Sequence, residues 1–333
     1  MTATTSSEVT IRQATAADLD AAIELVGRAL GWDPDRPNAA FFRWKHLENP
    51  FGPSPMWVAE RDGQLVGVRT FLRWEFIRPD GTTARAVRAV DTATDPASAG
   101  RGIFTALTMH AAEQLTTEGV DFVFNTPNDK SRPGYLKMGW VDLGRVPVRV
   151  RLRSFAAAAR VARARVAADK WSRPTTCGED PLEVFASDHD VQDLLDRLPP
   201  DRRHYVTARS PAQLRWRYSF APLHYRAVTL SDRGVSDGVC VFRVRARGPA
   251  TEATVCDLLV PGGDTKRTRA LLRAVALAAP VDYLIWTGPR LPLQTQFLPL
   301  PGQGPVLTWR ALRQAEPPPL SAWALTLADL ELF

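Results

Sequence analysis

The sequence predicts an α+β protein made of two domains of similar architecture. Three observations support this fold class: the length of 333 residues, an internal repeat, and hairpin strands that alternate with helices. Chains longer than about 250 residues usually divide into domains of about 100 to 200 residues, so two domains are expected. The chain is 45% hydrophobic and 23% charged, which is typical of a folded globular protein.

The repeat begins with two tryptophan-containing blocks. Residues 42–45 read Phe-Arg-Trp-Lys and residues 214–217 read Leu-Arg-Trp-Arg, and a proline follows each tryptophan after six positions, at Pro50 and Pro222. Each block leads into β-rich runs joined by a Gly-containing turn, at Asp62-Gly63 and at 232–234, which indicates a hairpin.

The remaining elements follow in the same order in both halves. Strands at 87–94 and 253–260 stop before a proline, and each is followed by a Gly-containing loop and an apolar-periodic helix, at 103–115 and 270–279. Short buried strands at 121–126 and 282–287 come next. These landmarks predict domains at 1–154 and 173–333, joined by an Ala/Arg-rich helical connector at 155–172.

Charge and hydropathy narrow the range of partners. The net charge of +6 would suit a polyanion, but the longest basic stretch, residues 145–165, alternates Arg with Val, Leu and Ala. It lacks the aromatic-interleaved groove of single-stranded nucleic-acid binders, so we expect no nucleic-acid partner.

No apolar run reaches the ~18 residues of a membrane span, and residues 1–8 do not read as a signal peptide. We expect a cytoplasmic protein without a membrane partner.

Other catalytic chemistries are missing from the sequence. Cys177, Cys240 and Cys256 are scattered without a Cys-x-x-Cys pair, which argues against a disulfide framework and a structural zinc site. The five histidines have no metal-ligand spacing, and no Gly-x-Ser-x-Gly elbow is present. We therefore expect no metal and no serine or cysteine nucleophile.

A glycine-containing loop precedes the first-half helix. Residues 94–104 read Thr-Asp-Pro-Ala-Ser-Ala-Gly-Arg-Gly-Ile-Phe. Two glycines at a helix start let backbone N–H groups converge on an anion such as pyrophosphate, although such a sequence can also form a simple turn. The loop lacks the third glycine of the dinucleotide fingerprint and the Gly-Lys-Ser/Thr of a P-loop.

Two blocks resemble motifs of the GNAT acyltransferases. Residues 91–104 resemble motif A, in which a Q/R-x-x-G-x-G/A loop cradles the pyrophosphate of coenzyme A, although Ala99 and Phe104 replace its usual first and last residues. Residues 128–140, Asn-Asp-Lys-Ser-Arg-Pro-Gly-Tyr-Leu-Lys-Met-Gly-Trp, resemble motif B with every spacing kept. The resemblance covers 9–153 and implies, in each domain, a mixed, mostly antiparallel twisted sheet flanked by helices.

The resemblance also implies a reaction and its residues. An acyl group, acetyl by default, would pass from a coenzyme A thioester to a primary amine by direct attack in a ternary complex. Tyr135 takes the position of the general acid and Asp91 that of a base-like carboxylate, for which a structural ion pair is the alternative. The implied cofactor-binding residues are Thr92, Ala93, Thr94, Ala99, Gly100, Arg101, Gly102, Ile103, Phe104, Asn128 and Ser131.

The second half keeps the repeat but loses both motifs. Residues 261–266 read Pro-Gly-Gly-Asp-Thr-Lys, in which Asp264 would repel an anion, and nothing there corresponds to residues 128–140. We expect a degenerate copy that walls the acceptor pocket of an N-acyltransferase acting on a small or medium metabolite, as a monomer or homodimer. The alternatives are longer-chain acyl or aminoacyl transfer to an amino sugar, antibiotic or cell-wall intermediate, and a non-catalytic acyl-CoA sensor.

Overall fold

Two mixed, mostly antiparallel sheets with helices packed against them form the structure, a computed structural model that describes residues 8–164, 166–230 and 234–331. The predicted fold class is confirmed. Arg165 of the basic stretch and Asp232 and Arg233 of the second predicted turn lie outside the described residues.

The elements are bounded as follows. The strands are β1 (Thr10–Gln13), β2 (Met56–Arg61), β3 (Gln64–Ile77), β4 (Thr83–Thr94), β5 (Phe122–Asn125), β6 (Val141–Arg145), β7 (Arg149–Leu152), β8 (Val206–Thr207), β9 (Arg226–Thr229), β10 (Val239–Arg247), β11 (Ala250–Leu259), β12 (Tyr283–Trp286), β13 (Leu298–Pro299) and β14 (Val306–Ala311). The α-helices are α1 (Leu19–Leu30), α2 (Asn38–Leu47), α3 (Ile103–Thr117), α4 (Arg132–Lys137), α5 (Phe155–Arg163), α6 (Pro181–Val184), α7 (Asp188–Asp196), α8 (Pro211–Tyr218), α9 (Thr265–Ala278) and α10 (Leu327–Leu330).

The two sheets have related topologies. The first has the order β1-β2-β3-β4-β5-β14-β6, with β8 pairing β3, and the second has the order β13-β7-β12-β11-β10-β9. Each sheet contains a long antiparallel hairpin, β3–β4 or β10–β11, followed by a parallel pair, β4–β5 or β11–β12. A helix connects each parallel pair, because parallel neighbours require a crossover.

The sheets exchange strands between the two halves. Strand β7 precedes the connector but pairs with β12 in the second sheet, and β14 comes late in the chain but lies between β5 and β6 in the first. The halves therefore cannot separate without breaking strand pairs. The boundaries 1–154, 155–172 and 173–333 stay a prediction, and the exchange was not anticipated because local periodicity does not identify a strand's partner.

The repeated tryptophans meet where the halves pack together. Trp44 on α2 and Trp216 on α8 stack with ring centroids 5.0 Å apart and an interplanar angle of 19°. The Trp216 indole N–H donates to the Trp44 carbonyl oxygen at 3.3 Å, and the Trp44 indole N–H donates to Ser219 at 3.0 Å. Buried aromatic pairs of this kind stabilise by about 0.5–1.5 kcal/mol beyond their buried area.

Helix α3 packs closely on β3. Its buried face includes Ile103 and Leu107, and an added Cβ at Gly67 of β3 would lie 2.7 Å from Ile103 Cγ2 and 2.8 Å from Leu107 Cδ1. Glycine at this position permits the approach. The contact fixes the start of α3 beside the end of β4.

In the described part of the chain, no helix has both the length and the apolarity needed to cross a bilayer.

Candidate active site

A cleft opens where β4 and β5 diverge. The two strands pair only from Ala86–Phe122 to Arg88–Phe124, while β4 continues to Thr94 and β14 covers the other side of β5. The gap is a cavity of about 540 Å³. It is lined by Leu30, Ala89, Val90, Asp91, Thr92, Thr94, Phe104, Asn125, Thr126, Pro127, Asn128, Lys130, Ser131, Gly134 and Tyr135.

A β-bulge shapes the wall of this cleft. Val68 lies opposite Ala93 and Thr70 opposite Val90, so Asp91 and Thr92 together face the single residue Arg69. Asp91 has a φ of 44°, a left-handed conformation that costs an L-residue roughly 1–2 kcal/mol. Bulges re-aim side chains and are common beside active sites.

Asp91 sits in a buried charged network. Its Oδ2 atom forms an ion pair with Lys45 and accepts a hydrogen bond from His46 Nε2 at 2.8 Å. Burial alone would raise the pKa of Asp91, but the Lys45 ammonium and the His46 hydrogen bond outweigh it, and the pKa lies below its ordinary value. The carboxylate is therefore ionised at neutral pH and is a weak proton acceptor.

His46 is the neutral member of that network. It is fully buried, and burial lowers its pKa despite the opposing hydrogen bond to Asp91. Because an ionised carboxylate only accepts, we assign the ring proton to Nε2, and Nδ1 accepts from the Ser54 hydroxyl at 2.8 Å. The second half has the same type of contact at the corresponding positions of the repeat, where the Tyr218 hydroxyl donates to Asp257 at 2.5 Å.

A hydrogen bond from Arg69 orients the Tyr135 hydroxyl. The Tyr135 side chain is 5% exposed, and its hydroxyl oxygen accepts a hydrogen bond from Arg69 Nη1 at 2.8 Å. Arg69 also donates to the Thr92 hydroxyl. A guanidinium has no acceptor, so the phenolic proton cannot bond to Arg69 and is available to a group in the cleft.

The Arg69 guanidinium is buried without a carboxylate partner among the residues that the structure describes. Its side chain is 0% exposed, and its Nε and Nη2 atoms have no hydrogen-bond partner there. The rings of Phe71, Tyr135 and Phe104 surround it, with centroids 4.4, 5.3 and 5.7 Å from Cζ. Cation–π contacts of this kind stabilise a cation by about 2 kcal/mol or more when it is desolvated.

The N-termini of α3 and α9 differ in their capping. Among the residues that the structure describes, no side chain caps α3 after Gly102, and the space around a Cβ at Gly100 or Gly102 is open. Before α9, Asp264 accepts from the backbone N–H groups of Lys266 and Arg267 at 2.7 and 2.9 Å. The free N–H groups of α3 can therefore receive an external anion, whereas those of α9 already bind a carboxylate.

Asn128 and Ser131 form the opposite rim of the cleft. Asn128 Oδ1 accepts from the backbone N–H groups of Lys130 and Ser131 at 3.0 and 2.9 Å, and from the Ser131 hydroxyl at 3.1 Å. This contact orders the turn that leads into α4, which carries Tyr135. A local role for Asn128 does not compete with contact to a ligand.

The predicted site residues divide into two groups. Seven of them line the one cleft: Asp91, Thr92, Thr94, Phe104, Asn128, Ser131 and Tyr135. Six do not line it: Ala93, Ala99, Gly100, Arg101, Gly102 and Ile103. The second group belongs to the end of β4 and to the loop and first turn of α3, and the Phe104 and Tyr135 rings, 5.6 Å apart, join this segment to the cleft.

Sequence reasoning missed Arg69, Lys45 and His46. Arg69 lies in an otherwise apolar run of β3, and a charged residue in a buried strand was the available signal. Lys45 and His46 follow the repeated tryptophan, but their pairing with Asp91 depends on where α2 packs.

Known proteins resemble this chain in sequence over its first half and in fold over most of its length. The family of the Acetyltransferase (GNAT) domain matches residues 10–141. No curated protein sequence matches significantly. A probable N-acyltransferase from Enterococcus faecalis aligns over 92% of this chain and 73% of its own, with 13% identity and a TM-score of 0.67.

Two further structures share the fold. A GCN5-related N-acetyltransferase from Anabaena variabilis aligns over 92% of this chain and 73% of its own, with 11% identity and a TM-score of 0.62. Eis1 from Mycobacterium abscessus aligns over 92% and 74%, with 19% identity and a TM-score of 0.56. The family match covers residues 10–141, and this segment contains the divergent strands and most of the cleft. Residues 10–141 therefore form a domain of the GNAT acetyltransferase family.

Proposed function

We propose that the protein transfers an acyl group, acetyl by default, from coenzyme A to a primary amine of a small or medium metabolite. The observation that carries this proposal is the adjacency of an uncapped helix N-terminus and an oriented tyrosine. The N-terminus of α3 offers free N–H groups, and Phe104 in its first turn packs against the ring of Tyr135.

The residues present fit coenzyme A in three respects. The open glycine turn before α3 offers backbone N–H groups and a helix dipole to a diphosphate. The stretch of β4 beyond Arg88 has no β5 partner, so its backbone groups can bond the amide-containing pantetheine arm. The cavity of about 540 Å³ lies within the usual size of a ligand pocket. When bound, the cofactor supplies the acyl group as a thioester.

Tyr135 serves as the general acid in this proposal. Its hydroxyl oxygen accepts a hydrogen bond from Arg69, so its proton points away from the guanidinium and could be donated to the thiolate that leaves a thioester bound in the cleft. Arg69 is a positioning residue that also places a positive charge behind the phenol as it gives up its proton. General acids of this kind contribute about 10²- to 10⁴-fold to the rate.

Asp91 has an orienting role. Lys45 and His46 both contact Oδ2, which leaves Oδ1 for the acceptor amine or a water beside it. The low pKa of the carboxylate favours charge stabilisation over proton abstraction, so the amine proton passes through water to solvent. This assignment modifies the base-like role that the motif resemblance implies.

The decisive experiment measures turnover and binding separately. Acetyl-CoA is incubated with a panel of amino sugars, aminoglycosides and amino acid derivatives, and free thiol release is followed for the wild type and Tyr135→Phe. We expect turnover with at least one amine. The variant should lower kcat by about 10²-fold or more while the calorimetric Kd for coenzyme A stays unchanged, since the ring contacts remain.

The other possible outcomes would indicate other functions. Binding of acetyl-CoA without turnover on any amine would indicate the sensor, and turnover only with longer acyl-CoA or aminoacyl donors would indicate the alternative transferases. Failure to bind coenzyme A would reject the proposal.

A further inference from the structure

A cationic concavity in the second half lies apart from the residues of the cleft. Five basic side chains line a cavity of about 630 Å³ between β7 and α9: Arg151, Arg153, Lys266, Arg269 and Arg273. None of the twelve described residues that line it is acidic. Arg151 and Arg153 come from the basic stretch singled out in the sequence, which the catalytic site does not use.

These cations face one another without carboxylate partners in the described chain. Lys266, Arg269 and Arg273 are exposed and lie along one side of α9, at spacings of three and four residues. Burial, with the charges of Arg153 and Arg273, lowers the pKa of Arg151, as expected where guanidiniums crowd together. Arg153 donates to the Ala279 carbonyl, which fixes it at this surface.

Exposed leucines lie on or beside the same concavity. Leu277 continues the basic stripe of α9 and is 70% exposed, and Leu152 at the end of β7 is 41% exposed. Leu293, next to the lining residue Gln294, is 84% exposed. These leucines therefore share one surface with five cations that have no carboxylate partner in the described chain, and such a combined patch indicates an interaction site.

We propose that this face docks on a membrane surface rich in anionic phospholipid. Lipid phosphates match the cations, and the acyl-chain boundary accepts the leucines, so one partner satisfies both features. The inference departs from the expectation of no membrane partner, which rested on the lack of a spanning segment. Docking on the membrane surface does not require a spanning segment.

Two other occupants fit less well. A nucleic acid offers phosphates but leaves the leucines in water, since its backbone has no apolar surface at that depth. A second copy in a two-fold dimer would bring the five cations near their own symmetry mates, where like charges repel.

Vesicle co-sedimentation tests the proposal on the full chain. Vesicles of phosphatidylcholine are compared with vesicles containing about a third phosphatidylglycerol, at low and high salt. Arg269→Gln/Arg273→Gln removes two cations, Leu277→Ser/Leu293→Ser removes two leucines, and Arg202→Gln/Arg203→Gln is the control, because it removes two exposed cations elsewhere. Circular dichroism checks that each variant folds.

We expect binding to the anionic vesicles only, weakened by salt. The cation pair should lower affinity about 25-fold, at about fivefold per cation, and the leucine pair should lower it clearly, while the control should not. Absence of binding at low salt, or equal loss in the control, would overturn the proposal. So would binding of duplex DNA with no vesicle binding, or concentration-dependent dimerisation abolished by the same variants.

Discussion

At the scale of single residues, the site depends on two buried groups with contrasting surroundings. Arg69 is a cation surrounded by rings and hydroxyls, while Asp91 is an anion paired with Lys45 and bonded to His46. They lie on opposite sides of one bulge, so the backbone irregularity places a donor behind Tyr135 and a carboxylate in the same cleft wall.

Arg69→Met should lower kcat without affecting cofactor binding. The variant removes the hydrogen bond to Tyr135, so the hydroxyl would no longer be held in one orientation for proton donation, and a loss of about 10- to 100-fold is expected. The KM for acetyl-CoA should stay unchanged. Steady-state kinetics with Arg69→Lys alongside checks this, since lysine retains a donor and should recover part of the rate. An unchanged kcat in Arg69→Met would refute the positioning role.

Acidification should destabilise the fold through His46. Its pKa is lower folded than unfolded, so below about pH 6.5 the unfolded chain binds the extra proton and stability falls. The slope is at most about 1.4 kcal/mol per pH unit for one such group. Denaturant unfolding at pH 7.5 and 5.5 should show a smaller difference for His46→Gln than for the wild type. Equal differences would mean that folding does not lower the pKa of His46.

At the scale of elements, two equivalent helices differ at their first turn. The N-terminus of α3 is uncapped, whereas Asp264 closes the N-terminus of α9. From the glycines at 100 and 102 and the Asp at 264, the sequence predicted that an anion would bind before α3 and be repelled before α9. The structure adds that Asp264 also caps α9. The sequence could not anticipate that β14 comes from the other half to pair with β5, because that contact joins residues far apart in the chain.

Gly102→Asp should cap the N-terminus of α3 with a carboxylate, as Asp264 caps α9. A carboxylate there would cap the free N–H groups and repel a diphosphate, so coenzyme A affinity should fall at least about tenfold. Gly102→Asn is the matched control, because asparagine carries no charge and tolerates the left-handed φ of 77°. Calorimetry should rank the wild type first, then asparagine, then aspartate. Equal affinity for the two variants would remove the charge argument.

At the scale of the whole molecule, strand exchange joins the two halves, and a buried ionic cluster forms within the second half. Glu331 accepts from Arg243 at 2.9 Å and from the Tyr225 hydroxyl at 2.9 Å, and it pairs with Arg217 at 3.3 Å. Burial would raise its pKa, but the surrounding guanidiniums lower it to about 2. The cluster ties the end of the described chain to α8 and β10.

Glu331→Gln should unfold at markedly lower denaturant concentration. Removing one partner leaves buried guanidiniums uncompensated, which costs about 3–5 kcal/mol. Glu24→Gln is the control, since Glu24 forms an exposed ion pair with Arg28 and should change stability by less than about 1 kcal/mol. If the two variants unfold alike, the cluster does not stabilise the fold.

The sequence predicted what local chemistry determines. Hairpins, the turn before α3 and the repeated tryptophans were readable, because turn residues and periodicity report the local backbone. Three features could not be read from the sequence, because each joins residues far apart in the chain. They are the stack of Trp44 on Trp216, the exchanged strands and the pairing of Lys45 with Asp91. Arg69 was missed for the same reason, because its partner Tyr135 is 66 residues away.

A crystal structure with bound coenzyme A would show whether α3 and Tyr135 act on the same ligand. We expect diphosphate oxygens within hydrogen-bond distance, about 3.2 Å or less, of backbone N–H groups at the start of α3, and the sulfur beside the Tyr135 hydroxyl. A diphosphate seated at α9, or a sulfur remote from Tyr135 with the cofactor bound elsewhere, would contradict this expectation.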